Sequence, residues 1–543
     1  MTTRLESVLA LALIAVIPAC LIACAGPTDR PSGPAVELQQ GRLLGVREGD
    51  VNVFRGIPYA APPTGEGRWK PPSPAPSWTG VRNAAAFGPS CVQPDVPTRS
   101  LYHDPPLQTS EDCLTLNIWA RPDNEKAPVI VWIHGGSLRV GGSAQAMYDG
   151  SEFARRGVVF VSLNYRLGVL GWLAHPSLSA ESPDGISGNY GLLDQIAALQ
   201  WVGANISDFG GDPTNITVMG ESAGALSVSY LLASPDADGL FQKAIIQSPN
   251  SRNFPELGDS AYGLPPADEL GAAVLSALDL DSLVAARSAA AQDLTDKAGR
   301  IGFVPQGTID GKVLPSQIID SFDHGSFAKV PILAGFNSGE VRSQRLFLPR
   351  VPEDYEASIA ARYGSRTAEV LALYPAEDVD ASMLATLRDG IYGWATERIV
   401  RKETEAEQPA FMYVFDYCYP SAREADLCAF HASELPFVFG ALDPERLSVN
   451  WPLPDGQQDR TLSRALLDYW TSFAATGQPE SDHGPAWPAY GSDEAYLEIG
   501  PDLDVRTDPF PGMFELHEYL VRQRKAAGEP WFLNIGLGAP PLE

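Results

Sequence analysis

The chain has 543 residues, 44% of them hydrophobic and 20% charged, with a formal net charge of −28 at pH 7. That is an ordinary globular composition, with room for one large α/β domain or a few smaller ones, so a disordered or fibrous chain is excluded. The acidic balance repels nucleic-acid phosphates and argues against DNA or RNA as a partner.

The N-terminus reads as a targeting segment. Arg4 precedes a mostly apolar run, Val8 to Ile22, which suits a signal h-region but is short for a membrane span. Leu21-Ile22-Ala23-Cys24 resembles the lipobox of bacterial lipoproteins, which implies acylation of Cys24 and removal of residues 1–24. Residues 25–40, with the Pro/Gly/Ser-containing stretch Gly26 to Ala35, then read as a tether. Ordinary cleavage after Ala23-Cys24-Ala25 is the alternative. Either route exports the protein, and the lipid would be its sole contact with a membrane. Alanine at position 25, where aspartate commonly marks inner-membrane retention, favours an outer membrane. Beyond the signal remain Cys91, Cys113, Cys418 and Cys428, an even number for an oxidising compartment. Three pairings are open, and the two local ones, Cys91 with Cys113 and Cys418 with Cys428, would close short loops. With no C-x-x-C or H-E-x-x-H motif, neither a metal nor a cofactor is expected.

Gly41 to Ala60 alternates like an antiparallel hairpin turning at Gly49-Asp50, and Ala61 to Pro106 is proline- and glycine-rich loop. From there short apolar strands alternate with helices. Leu116–Ala120, Val129–His134, Val158–Tyr165, Ile216–Met219, Lys243–Gln247, Pro331–Phe336 and Phe411–Tyr417 read as strands, Tyr190–Trp201 and Ala223–Ala233 as helices. Continuous apolar strands with helical crossovers predict a mostly parallel sheet covered on both faces. No linker separates two cores, so residues 41–543 read as one domain. The helix-prone insertions Ser251 to Gly302 and Val351 to Lys402 are placed to cap a cleft at the carboxyl ends of the strands.

Gly220-Glu221-Ser222-Ala223-Gly224 lies between the strand ending at Met219 and the apolar helix that follows. A serine on such a turn has its Oγ pushed out of the fold, and the flanking glycines relieve collisions with neighbouring backbone. A hydroxyl needs a base to take its proton and a third group to orient that base. In a strand–turn–helix hydrolase the chain order is Ser, acid, His. His324 precedes the strand Pro331–Phe336, His517 lies in an apparent helix, and His483 lies in a polar loop. His431, just past Phe411–Tyr417, is where a base should project. Glu340 follows Pro331–Phe336 and is the candidate acid, with Asp310 in a turn-like Ile-Asp-Gly-Lys as runner-up. Val131 to Ser137 leaves a strand into a glycine loop that can offer backbone N–H groups to an oxyanion.

Glu111-Asp112-Cys113-Leu114-Thr115-Leu116-Asn117-Ile118-Trp119 and Phe209 to Gly224 resemble two signatures of type B carboxylesterases, the cholinesterase-like α/β-hydrolases. His134-Gly135-Gly136, the Gly335-x-Asn337-x-x-Glu340 segment and His431 to Gly440 match that family in order and spacing. The resemblance implies an α/β-hydrolase fold and hydrolysis of small-molecule esters through an acyl-enzyme. It implies Ser222 as nucleophile, His431 as base and Glu340 as orienting acid. It also implies an oxyanion hole of the Gly136, Ser137 and Ala223 N–H groups, with Ser248 supporting the triad. Cys113 is paired in the family with an upstream cysteine, which favours Cys91; Cys418 and Cys428 gain no counterpart. Where cholinesterases carry a choline-binding tryptophan, ten residues before the motif cysteine, this chain has His103 beside Tyr102, so a general carboxylesterase is implied over a cholinesterase. Amide or carbamate hydrolysis would use the same triad. A silent binding protein is the reading from a different class, countered by retention of all three groups. A neutral imidazole as base implies a rate that falls in acid near an apparent pKa of about 6–7.

Overall fold

The computed structural model describes residues 33–104 and 108–542; Cys24 and the first half of the proposed tether, residues 25–32, lie outside them. At its centre is an eleven-stranded sheet. In chain order its strands are β1 (Val46–Glu48), β2 (Val51–Pro58), β3 (Thr115–Ala120), β4 (Ala127–Ile133), β5 (Val159–Leu163) and β6 (Gly211–Glu221). There follow β7 (Lys243–Gln247), β8 (Ile332–Asn337), β9 (Ala410–Phe415), β10 (Ala495–Ile499) and β11 (Leu503–Thr507). Across the sheet the order is β11-β10-β9-β8-β7-β6-β4-β5-β3-β2-β1. Every neighbouring pair from β10 to β5 is parallel, and antiparallel pairs finish both edges.

The apolar runs are continuous because both faces are covered. Val129, Val131 and Ile133 of β4 pack among Leu192, Leu199, Leu226 and Leu231 from the helices Tyr190–Asn205 and Ala223–Ala233. The intervening Ile130 and Trp132 face the other way, among Phe437, Leu466, Trp470 and Phe473. The last three belong to the helix Gln457–Thr476. Period-2 alternation thus splits one apolar strand between two cores. From β4 the chain steps outward to β5 and then returns to β6 on the opposite side of β4. The carboxyl ends of β4 and β6 therefore meet where the strand order reverses, the usual position of a ligand crevice in an open parallel sheet.

The expected hairpin is present as β1 and β2, turning at Gly49-Asp50. Gly41–Leu44 departs from it and pairs instead with Ala35–Leu38 and Val81–Asn83 in a separate three-stranded sheet. The chain crosses against β2 at Gly45, where a Cβ would lie 2.5 Å from the Val53 carbonyl oxygen. Ala35–Leu38, inside the stretch read as tether, is thus paired strand. The insertions are helical: Ala267–Ala277, Leu283–Ser288 and Ala291–Arg300 in the first, and Tyr355–Tyr363, Thr367–Leu373, Val379–Arg388 and Trp394–Glu405 in the second.

Candidate active site

Ser222 sits between β6 and the helix Ala223–Ala233 with φ 56° and ψ −118°, a conformation that costs a non-glycine residue about 1–3 kcal/mol. The turn is held from both sides. The Ser222 N–H donates to the Gln247 carbonyl at 2.9 Å, and its own carbonyl accepts from the Leu226 N–H at 2.9 Å. The flanking glycines are steric necessities: a Cβ on Gly220 would lie 2.4 Å from the Gly224 carbonyl, and one on Gly224 would lie 2.0 Å from the Ile133 oxygen.

The glycine loop after β4 abuts this turn. A Cβ on Gly135 would approach within 3.2 Å of Ser222 Cβ and 2.9 Å of Glu221 Oε2. Gly136 has φ 104° and Ser137 has φ 57°, so the loop curls back, closed by the Arg139 and Val140 N–H groups on the Gly136 carbonyl. Among the described residues no protein acceptor takes the N–H of Gly136, Ser137 or Ala223. Three donors without protein acceptors around one serine suit a developing oxyanion.

Glu340 is fully buried just beyond β8. Its Oε1 accepts from Ser248 Oγ at 2.6 Å and from the Asn337 N–H at 2.9 Å, and its Oε2 lies 2.5 Å from His431 Nδ1. The carboxylate is therefore locked in plane, and it presents one oxygen to the imidazole. The loop carrying His431 is positioned by the His431 N–H on the Glu340 carbonyl (3.2 Å) and by the Tyr102 hydroxyl on the His431 carbonyl (3.0 Å). The Tyr392 ring lies against the imidazole, 5.0 Å between centroids. Asp310 is elsewhere: it accepts from Asn189 Nδ2 and from the Lys312 and Leu314 N–H groups, pinning its own turn. His517 is buried against the Tyr374 hydroxyl.

Two buried acids join this site that the sequence reading did not single out. Glu221 Oε1 lies 3.2 Å from His431 Nε2, so the imidazole is flanked by a carboxylate on each nitrogen, and no described hydrogen bond joins it to Ser222 Oγ. Glu434 is held by Gln247 Nε2 at 2.9 Å and Asn337 Nδ2 at 2.6 Å. Burial raises the Glu221 carboxyl to about 8 and that of Glu434 to about 6, each against nearby groups that favour the anion. Burial alone would lower the His431 pKa, but the charges of Glu221 and Glu340 and the Glu340 hydrogen bond outweigh it and drive it upward. Glu221 was within view as the second residue of Gly-Glu-Ser-Ala-Gly, and Glu434 as the i+3 neighbour of His431.

Both local cysteine pairings are present, Cys91–Cys113 and Cys418–Cys428. The second backs onto the site: Gly339 leaves no room for a Cβ beside the Cys428 carbonyl, 2.0 Å away, and the Gly339 N–H donates to Ala429.

A strand–Ser–helix turn at the switch point of a parallel sheet, with an acid after β8 and a histidine after β9, defines an α/β-hydrolase. The profile of the carboxylesterase family matches residues 32–512, and the chain belongs to that family as a carboxylic ester hydrolase, the class of the esterase relatives that follow. It is 38% identical over 503 residues to fumonisin B1 esterase of Sphingopyxis macrogoltabida, covering 89% of each chain. To para-nitrobenzyl esterase of Bacillus subtilis it is 36% identical over 506 residues, 88% of this chain and 99% of that one. A solved structure of a PNB esterase superposes with a TM-score of 0.76 at 33% identity, covering 89% of this chain and 99% of that one.

Proposed function

We propose that this carboxylesterase works through a Ser222–His431–Glu340 triad and an acyl-enzyme. Ser222 Oγ attacks the ester carbonyl while His431 Nε2 accepts its proton, and the carbonyl oxygen, now anionic, is stabilised by the Gly136, Ser137 and Ala223 N–H groups. The imidazolium then returns the proton to the leaving alcohol, and a water deprotonated by the same nitrogen releases the acid. Glu340 holds the proton on Nδ1, so that Nε2 is the basic nitrogen, and Ser248 fixes Glu340. The observation that carries this reading is the Ser248–Glu340–His431 chain of short hydrogen bonds, 2.6 and 2.5 Å, ending beside the strained serine. In this apo geometry Nε2 faces Glu221, and the contact of Ser222 Oγ with Nε2 would form as substrate enters, since such contacts commonly tighten only in the complex.

The test is turnover of neutral esters by the native chain and by Ser222→Ala. Loss of about four to six orders of magnitude in kcat supports the scheme; retention of more than a few per cent rejects it. The small-molecule ester would be met outside the cell: the Cys24 reading makes this an exported, lipid-anchored enzyme. Intact mass of the mature protein decides that point, because an acylated N-terminus at Cys24 supports the anchor and an unmodified Gly26 replaces it by secretion.

A further inference from the structure

Among the described residues five arginines are buried outright, Arg68, Arg166, Arg287, Arg398 and Arg524, and each is paired with a carboxylate, respectively Glu111, Asp194, Glu181, Glu518 and Glu529. Such pairing is what a desolvated guanidinium requires. Arg252 departs from the pattern. It is four residues past Ser248, at the carboxyl end of β7 and next to the nucleophile strand, and it is half-buried. Its only hydrogen bonds among the described residues go to one neutral oxygen, Asn250 Oδ1, from Nε at 3.3 Å and from a terminal nitrogen at 3.0 Å. The guanidinium lies over the Phe532 ring, 4.5 Å from its centroid. Burial lowers its pKa, and the groups facing it with any opposing effect are the phenols of Tyr230 and Tyr392. Tyr392 is the residue whose ring lies 5.0 Å from that of His431. In a chain with 67 acidic residues against 39 basic ones, a cation with no carboxylate partner among the described residues, and separated from the catalytic histidine by the Tyr392 ring, is the exception to explain.

Its neighbours are tied to the C-terminal segment. Asn253 Oδ1 accepts from the Trp531 N–H at 3.3 Å, and the Trp531 and Tyr262 rings meet edge to face at 4.8 Å. Trp531 and Phe532 follow the helix Met513–Ala526 and lie beyond the part of the chain that matches the family profile. A cation–π contact and one amide oxygen offset only part of the cost of desolvating a guanidinium. A planar carboxylate would complete it through paired N–H···O bonds.

We propose that Arg252 is a substrate-binding residue and that the preferred ester carries an ionised carboxylate besides its scissile bond. This rests on the esterase reading above and goes beyond it by naming the substrate class. The test compares kcat/KM for esters of matched size with and without the charge. Monomethyl glutarate against methyl pentanoate probes a carboxylate on the acyl side; the acetate ester of para-hydroxybenzoate against that of para-hydroxybenzamide probes the alcohol side. In one arm the native chain should prefer the anionic ester by about tenfold or more, the preference should fall with added salt, and Arg252→Gln should reduce it by about 10–100-fold, with Arg252→Lys between. A ratio at or below one in both arms, or a ratio unchanged by Arg252→Gln, overturns the proposal while leaving the esterase reading intact. Hydrolysis of none of the four esters, with Ser222 unreactive to phosphonate, overturns both. Product inhibition of the native chain gives a check independent of any variant: glutarate should inhibit at about tenfold lower concentration than pentanoate, and equal inhibition overturns the proposal.

Discussion

Replacing Glu221 by glutamine removes a negative charge 3.2 Å from His431 Nε2 while keeping the shape of the side chain. Two unit charges at that separation interact by at most about 5 kcal/mol at an effective dielectric of about 20. Burial raises the Glu221 carboxyl itself to about 8, so near neutrality only part of that charge is present. An opposite charge at such range shifts a pKa by about 1–3 units, and a shift of about 1–2 units is expected here. The base works as neutral imidazole, so activity is lost as pH falls through the His431 pKa. Because Glu221 and Glu340 push that pKa up, the acid limb of the native enzyme should lie above the ordinary histidine range, higher than the sequence alone implies. Glu221→Gln lowers it, so the variant should retain a larger fraction of its own maximal kcat/KM at pH 6 than the native chain does. The assay is kcat/KM for a neutral ester between about pH 5 and 10. An acid limb that stays in place or moves up in Glu221→Gln would refute the electrostatic account of the site.

Glu340→Gln should lower kcat by about two to four orders of magnitude, less than Ser222→Ala, because the amide still accepts a hydrogen bond from Nδ1 but lacks the charge that stabilises imidazolium; Asp310→Asn should leave kcat/KM within a few-fold. Ser248→Ala should cost about ten- to a hundredfold in kcat by freeing Glu340 Oε1, with Ser248→Thr restoring part of it. Removing the Cys418–Cys428 bridge by double serine replacement should cost about 3 kcal/mol of stability and reduce kcat/KM, since that bridge backs onto the His431 loop; unfolding midpoint and steady-state kinetics check both. Glu403, wholly buried, has its carboxyl raised to about 8 by burial against the Val330 N–H and the Lys329 charge. The folded chain thus keeps a proton there that the unfolded chain releases near the ordinary glutamate pKa, so this group's stabilisation is present in acid and lost as pH rises towards 8. Glu403→Gln should therefore raise Tm by a degree or more at pH 9 relative to its effect at pH 5.

The parallel strands β4 to β9 were readable because burial on both faces writes them as uninterrupted apolar runs. The edge strand β11 was not, since it is only five residues long and mostly exposed, so burial writes no apolar run there. The 41–60 segment misled for a tertiary reason: the close crossing at Gly45 sends one end of the apparent hairpin into a second sheet. The positions of Ser222, Glu340 and His431 followed from motif order, but Glu221 beside Nε2 depends on a turn with ψ −118° at Ser222, which no local pattern encodes. Arg252 likewise carries no motif. Its significance comes from the absence of a carboxylate partner among the described residues, and that is a property of packing.

The most direct test of the account is to inactivate the native enzyme with a serine-reactive phosphonate and map the adduct by mass spectrometry. Labelling should give one adduct per chain on the peptide holding Ser222, loss of ester turnover in proportion to labelling, and no labelling of Ser222→Ala. An adduct on a peptide without Ser222, or full turnover by a fully labelled chain, would contradict it.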